Sequence, residues 1–420
     1  MRLAPMIPVR QHLPGRPLRD VGLAVREEIV RCGLLRKVKA GTRIGIAVGS
    51  RGIANLPVVV SMLVHALREA GARPVVIPAM GSHGGATAAG QREVLASLGV
   101  TPRSVGAPVR ASMAVERLGE TRAGVPIWFS REALRCDGVV VVNRVKSHTD
   151  FRGPVESGLM KMIAIGLGKR KGAATLHSLR VAGLRDHMPE VARSMIRRGH
   201  ILGGVALVEN GNGETVRIAA MPARGIEAVE RRLLRAAKRL APRLPFDELD
   251  VLIVDWMGKD ISGVGLDPNV IGRMRMPGEQ PEPRRPRIRN IVVLRLTPAS
   301  HGNGLGVGLA EFIPRALADA IDWEAVKANC MTSGFLERTK LPLVMDCDRE
   351  AIEAAMTVGQ SRPPQDLRVL RIRDTSHVRD LWISPALAGE AERLGLEVLG
   401  PPRRLRFDRR GKRLDISSRE

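Results

Sequence analysis

The sequence predicts an α/β protein of two domains with largely parallel sheets around a central cleft. Three observations carry this. Segments of strand and helix character alternate over residues 43–98, the order that a doubly wound sheet requires. Val139-Val140-Val141-Val142, bounded by Gly138 and Asn143, is an unbroken apolar run, as expected of a strand covered on both faces. A second strand-like segment, Leu249-Asp250-Val251-Leu252-Ile253-Val254-Asp255, begins a further α/β series after Pro242 and Pro245. The expected domains are residues 1–244 and 245–420. The second is expected to close the cleft, and the last segment is a candidate to return to the first domain.

In chain order, residues 1–18 are rich in Pro and Arg and read as irregular. Residues 18–35 have the period of an amphipathic helix. Arg43-Ile44-Gly45-Ile46-Ala47-Val48-Gly49 is a strand, followed by the loop Ser50-Arg51-Gly52. Residues 57–70 are helical and stop at Gly71. Pro74-Val75-Val76-Ile77-Pro78 is the next strand, and the Gly-rich loop Gly81-Ser82-His83-Gly84-Gly85 leads into a helix ending near Leu98. Residues 101–130 read as short strands and turns. After the valine strand, two helical stretches are expected over 173–198, strands over 201–208 and 214–220, and a basic amphipathic helix over 225–240. In the second domain, strands are expected over 249–255, 290–296, 341–345 and 367–372. Residues 275–289, rich in Pro, Arg and Glu, read as a surface loop.

Composition narrows the function classes. No tyrosine occurs, and aromatic residues make up 2% of the chain, so base-stacking surfaces are scarce. The formal net charge of +24 favours acidic ligands. No helix-turn-helix, zinc-finger or RNP pattern accompanies that charge, so specific nucleic-acid binding is not expected. Cys32, Cys136, Cys330 and Cys347 are scattered, which argues against a metal ribbon or a disulfide framework and for a reducing, cytoplasmic setting. No apolar run approaches the length of a membrane span.

The chemistry-bearing residues cluster around residues 137–177. His148 follows the carboxyl end of the valine strand, where open α/β sheets bind ligands. Lys161 is the only charge between Ser157 and Gly168, among Leu, Met, Ile and Ala. A desolvated amine of this kind is a usable nucleophile or tether. The alternative is a stem lying on apolar surface with its head in water. His83, inside its Gly-rich loop, also stands at a strand's carboxyl end; it reads either as site chemistry or as a backbone-bonded loop histidine. Two further loops are candidates for ligand contact, at residues 257–265 and 301–304.

Arg51, Gly81-Ser82-His83, His148, Lys161 and His177, in this order, together resemble the nickel-pincer-dependent lactate racemase family. In that family one His follows a Gly-Ser/Thr pair, a second precedes a glycine-rich segment ending in Lys, which here is altered to Glu156-Ser157-Gly158-Leu159-Met160, and a third follows that Lys by sixteen residues. Sixteen residues separate Lys161 from His177 here. The resemblance covers roughly residues 40–180 well and the C-terminal half only by general layout. It implies two α/β domains around a cleft, and a cofactor, the pyridinium-3,5-bisthiocarboxylic acid mononucleotide of nickel, held covalently on Lys161. It further implies His177 as nickel ligand and His83 and His148 as paired acid/base residues. Arg51 would bind the anionic substrate or cofactor, with Gly81, Ser82 and Gly84 lining the cofactor. The implied activity is racemisation or epimerisation of a 2-hydroxy acid, an isomerase reaction, and the implied partners are that small anion and the enzymes that make the cofactor.

The chemistry suits the residue types. Two imidazoles can serve the two faces of one carbon, and they titrate near neutrality. The hydride needs an acceptor that no side chain supplies. The chain is a divergent branch: Val48 and Gly49 stand where the family has an Asp, and no Tyr matches its aromatic near the substrate. A different class of reading is an anion- or nucleotide-binding protein on the same scaffold, without racemase activity. A third is a zinc hydrolase using His83, His148 and His177, for which no carboxylate lies at a familiar metal spacing.

Overall fold

Alternating apolar segments fold here into two main sheets, each in its own unit. The computed structural model describes residues 5–50 and 52–414. One unit comprises residues 15–241; the other comprises 1–14 together with 242–420. The first strand, β1 (Ile7–Arg10), belongs to the second of these.

The unit of residues 15–241 is built on β2 (Arg43–Val48), β3 (Arg73–Pro78), β6 (Gly138–Arg144), β7 (Ile201–Glu209) and β8 (Thr215–Pro222). Their order is β3-β2-β6-β7-β8. The first four are parallel, and β8 returns antiparallel to β7. Between them, β4 (Val115–Glu120) and β5 (Pro126–Ser130) form a separate hairpin. Val139 to Val142 are wholly buried, which is why their run lacks alternation. The helix Leu56–Glu69 packs Val59, Val60, Leu63 and Leu67 against Ile46, Val140 and Val142, together with Val25 and Ile29 of the helix Val21–Cys32. Asp20 caps the latter helix by accepting from the Leu23 amide, and Gly33 ends it in the left-handed conformation.

Helix begins at Leu159, earlier than the expected 173. A first turn (Leu159–Lys161) runs into a π-helical turn (Met162–Gly166) and then the helix Lys169–Ser178. Leu159, Met160, Met162, Ile163, Ala164 and Ile165 are all buried, so this stretch is apolar on every side and shows no 3.6-residue period.

The other unit holds an eight-stranded sheet in the order β12-β11-β10-β9-β13-β14-β1-β15. Its strands are β9 (Glu248–Met257), β10 (Arg287–Leu296), β11 (Phe312–Pro314), β12 (Leu343–Met345), β13 (Val369–Ile372), β14 (Asp380–Ile383) and β15 (Glu397–Val398), besides β1. The strands from β12 to β13 are parallel, and β14, β1 and β15 extend the sheet antiparallel. The reading of residues 1–18 as irregular is thus corrected. Four residues containing a proline carry no strand period. Pairing with β14, Val9 opposite Leu381, supplies the backbone partners that make them a strand. Among the described residues, no helix is long and apolar enough to cross a membrane.

Candidate active site

Within the unit of residues 15–241, the chain passes from β2 to β3 on one side and later to β6 on the other. The crevice at the carboxyl ends of β2 and β6 is therefore the topological switch point, where open α/β sheets bind ligands. Gly49 and Ser50 leave β2 there, and Lys146 to His148 follow β6. Arg51, expected in this crevice, lies outside the described residues.

His148 sits on a loop folded back on itself. Lys146 and Ser157 form an antiparallel bridge at the loop's base. Inside it, the buried carboxylate of Glu156 accepts from the His148 amide at 2.8 Å and the Gly153 amide at 3.2 Å, and pairs with Lys238 at 2.6 Å. The His148 ring is 6% exposed and packs against Phe151, the ring centroids 4.6 Å apart. Its Nδ1 accepts from the Asp150 amide at 3.0 Å, and its Nε2 lies 2.6 Å from Nζ of Lys161. Burial, reinforced by the Lys161 charge, holds its pKa well below 6.5, so the ring is neutral at neutral pH.

Lys161 is half-buried, and its head meets the imidazole rather than only water. His177, in the last turn of the helix Lys169–Ser178, also has its pKa lowered, by burial first and the Lys161 charge second, with Asp150 opposing. The same ammonium acts on both rings, which places His148, Lys161 and His177 in one electrostatic neighbourhood.

His83 is placed by different means. Its Nδ1 hydrogen-bonds Ser50 Oγ at the end of β2. Its loop abuts the helical run: the Gly81 amide donates to Gly166 O at 3.3 Å. A side chain at Gly81 would meet Ile165, about one turn beyond Lys161, and Ala173, about one turn before His177. Gly84 is held against Gly90 so closely that a Cβ would lie 2.5 Å from the Gly90 carbonyl carbon. Ser82 and His83 are exposed and Gly84 is half-buried.

Two residues that the sequence did not single out hold this loop. Gln91 is wholly buried and donates to the carbonyls of Gly81 (3.0 Å) and His83 (3.3 Å). Lys169, also wholly buried, donates to Gln91 Oε1 at 2.9 Å and to Pro78 O. Burial lowers the Lys169 pKa to about 8. Lys169 sits in Lys169-Arg170-Lys171, which reads as a solvated basic run, so its burial has no signature in the sequence.

Glu230 is a third such residue. It reaches from the helix Ile226–Leu240 to the start of the Lys161 helix, where its Oε2 accepts from the Met160 amide at 2.9 Å. Gly158 makes room: a Cβ there would lie 2.5 Å from the Glu230 carboxyl carbon. Burial raises the Glu230 pKa to about 7, with the Met160 and Leu159 amides pulling it back. A carboxyl whose folded pKa is raised contributes stability that is full below its unfolded value, near 4.5, and is lost as pH rises through 7. The span corresponds to about 3 kcal/mol. Glu230→Gln is therefore expected to match the wild type at pH 4 and to exceed its stability by up to about 3 kcal/mol at pH 8. Urea unfolding at the two pH values measures this; equal differences at both would refute it.

Among the described residues, no group of three His, Cys, Asp or Glu side chains is placed to cage a metal ion. The three histidines are thus not a zinc site of the kind the hydrolase reading requires. One histidine serving a metal whose other donors arrive with a cofactor fits this donor set. In the other unit, the candidate loop at 257–265 is held by the turn just before residues 301–304: the Lys259 amide donates to Ser300 Oγ at 2.8 Å, and Lys259 Nζ turns back to Gly263 O at 2.8 Å.

Residues 20–188 match the family described as lactate racemase N-terminal domain, a stretch that holds Arg51, His83, His148, Lys161 and His177. Among solved structures, the chain is similar to the lactate racemase apoprotein from Thermoanaerobacterium thermosaccharolyticum. That comparison has 11% identity and a TM-score of 0.46, over 69% of this chain and 74% of that one. No curated protein matches the chain.

Proposed function

We propose that this chain, a divergent relative of the lactate racemases through the domain at residues 20–188, racemises or epimerises a 2-hydroxy acid with a nickel-pincer nucleotide tethered to Lys161. The observation that carries the proposal is the 2.6 Å contact between Lys161 Nζ and Nε2 of the buried His148. The contact sets the buried imidazole directly against the amine that would form the covalent tether.

The bound group supplies a hydride acceptor, chemistry that no side chain offers. His177 would donate one imidazole nitrogen to its nickel, a ligand type that nickel takes readily. His148, neutral at working pH, would take the proton from the substrate hydroxyl. His83, held by Ser50 at the neighbouring strand end, serves the opposite enantiomer. Arg51 binds the substrate carboxylate through its planar fork. The substrate is a small anion, in keeping with the basic chain.

Intact-protein mass spectrometry with metal analysis, after co-expression with cofactor-synthesis enzymes, tests the proposal. A covalent adduct with one nickel per chain is expected; an adduct-free chain that still binds anions would establish the binding-protein reading instead. His177→Ala is expected to lose most of its nickel while keeping the organic adduct, and full nickel retention would remove His177 from the metal.

A further inference from the structure

The eight-stranded sheet has a switch point of its own, unrelated to the histidines. From β9 the chain runs outward through β10, β11 and β12, then crosses back to β13 on the opposite side of β9. The carboxyl ends of β9 and β13 therefore flank a crevice of the type that binds ligands in open α/β sheets. A cavity of about 530 Å³ opens there, lined by Asp255, Arg371, Arg373, Trp382, Leu405 and the arginines at 403, 404 and 406, with Asp380 at its edge.

Its charge is one-sided. Asp255, 1% exposed, is engaged by Arg371 at 2.7 Å and by Arg413 at 2.8 Å. Asp380 is engaged by Arg10 at 2.6 Å. The two acids of the lining thus already have cationic partners. Arg403, Arg404 and Arg406 are exposed, and no acid among the described residues pairs with them. Arg373 has only Asp374 nearby, at 3.9 Å, and its Nε is buried without a hydrogen-bond partner. Four guanidinium groups on one cavity, one with a buried donor left over, repel each other unless an anion joins them.

We propose that this cavity is a binding site for an oligophosphate ligand of up to nucleoside-diphosphate size. Planar guanidinium forks match phosphate oxygens two at a time, and several forks call for several charges on one ligand. The volume exceeds what one inorganic phosphate fills and lies in the range of small-molecule sites. Leu405 and the indole of Trp382 add apolar surface on the same wall. The Trp382 face is partly covered by Arg371, whose guanidinium carbon lies 5.6 Å from the ring centre, so the arginines rather than stacking carry the recognition.

Isothermal titration calorimetry on the full chain, with inorganic pyrophosphate, ADP and citrate as probes at about 0.1 M salt, tests the site. Pyrophosphate and ADP are expected to bind one per chain, and citrate at least tenfold more weakly. Arg373→Gln is expected to weaken pyrophosphate by about tenfold or more. The exposed pair Arg404→Gln and Arg406→Gln, which leaves the core untouched, is expected to do the same. Citrate binding as tightly as pyrophosphate would overturn the phosphate assignment. Absence of binding, or unchanged affinity in the Arg404/Arg406 variant, would overturn the site.

Discussion

Lys161→Ala is expected to leave a folded chain of bare polypeptide mass with no detectable racemase activity. The effect is complete rather than partial because a hydride acceptor has no substitute among side chains. The fold should persist: Lys161 is half-buried, and the helix it belongs to is held by Leu159, Met160 and Ile163 in the core and by Glu230 at its first turn. The informative control is Lys169, the other amine with an environment suited to nucleophilic chemistry, with a pKa near 8. It is wholly buried, and its nitrogen is committed to Gln91 Oε1 and Pro78 O, so no cofactor can reach it. Peptide mapping should therefore find the adduct on Lys161; finding it on Lys169 or elsewhere would end the assignment.

The second large effect is expected at the two histidines. His148→Ala and His83→Ala should each lower turnover by about 10²–10⁴-fold, the usual contribution of a positioned general base. Reversible racemisation passes through both bases, so neither variant keeps full activity in either direction. Single-turnover reduction of the loaded cofactor with each pure enantiomer separates the roles, each variant retaining the enantiomer served by the other base. Wild-type rates for both enantiomers in both variants would exclude the pair. The wild-type pH profile adds a check. Because His148 titrates well below 6.5, it stays a base on the acid side, and the loss of kcat/KM attributable to it should begin below the ordinary histidine range.

Much of this site was legible because its chemistry is local in the chain. A lone lysine in an apolar run, and a histidine after a four-valine strand, stand out without any knowledge of the fold. The alternation of strand and helix over residues 43–98 became β2, β3 and the helices between and after them: the two strands are short apolar runs bounded by turn residues, and the helix Leu56–Glu69 buries one periodic face. Where burial is uniform, the period vanishes, and the helix from Leu159 was legible only from Ala173 onward. Of the contacts, the pairing of Lys161 with His148 could not be read, since a thirteen-residue separation across a folded loop has no pattern.

What the sequence by itself determined is the inventory and the class: parallel α/β units, a basic chain without tyrosine, histidines at strand ends and a lone lysine in an apolar run. Tertiary structure alone decided which polar groups are buried and what they hold. Lys169 finds Gln91 78 residues away and Pro78 91 residues away; Glu230 caps a turn 70 residues away; Gln11 donates to Val378 O across 367 residues, beside the pairing of β1 with β14. A buried polar group is tolerated only with a partner. Partners are chosen by the packing of whole elements, so a lysine in a basic run and a proline-bearing N-terminal segment take their roles from neighbours that lie far along the chain.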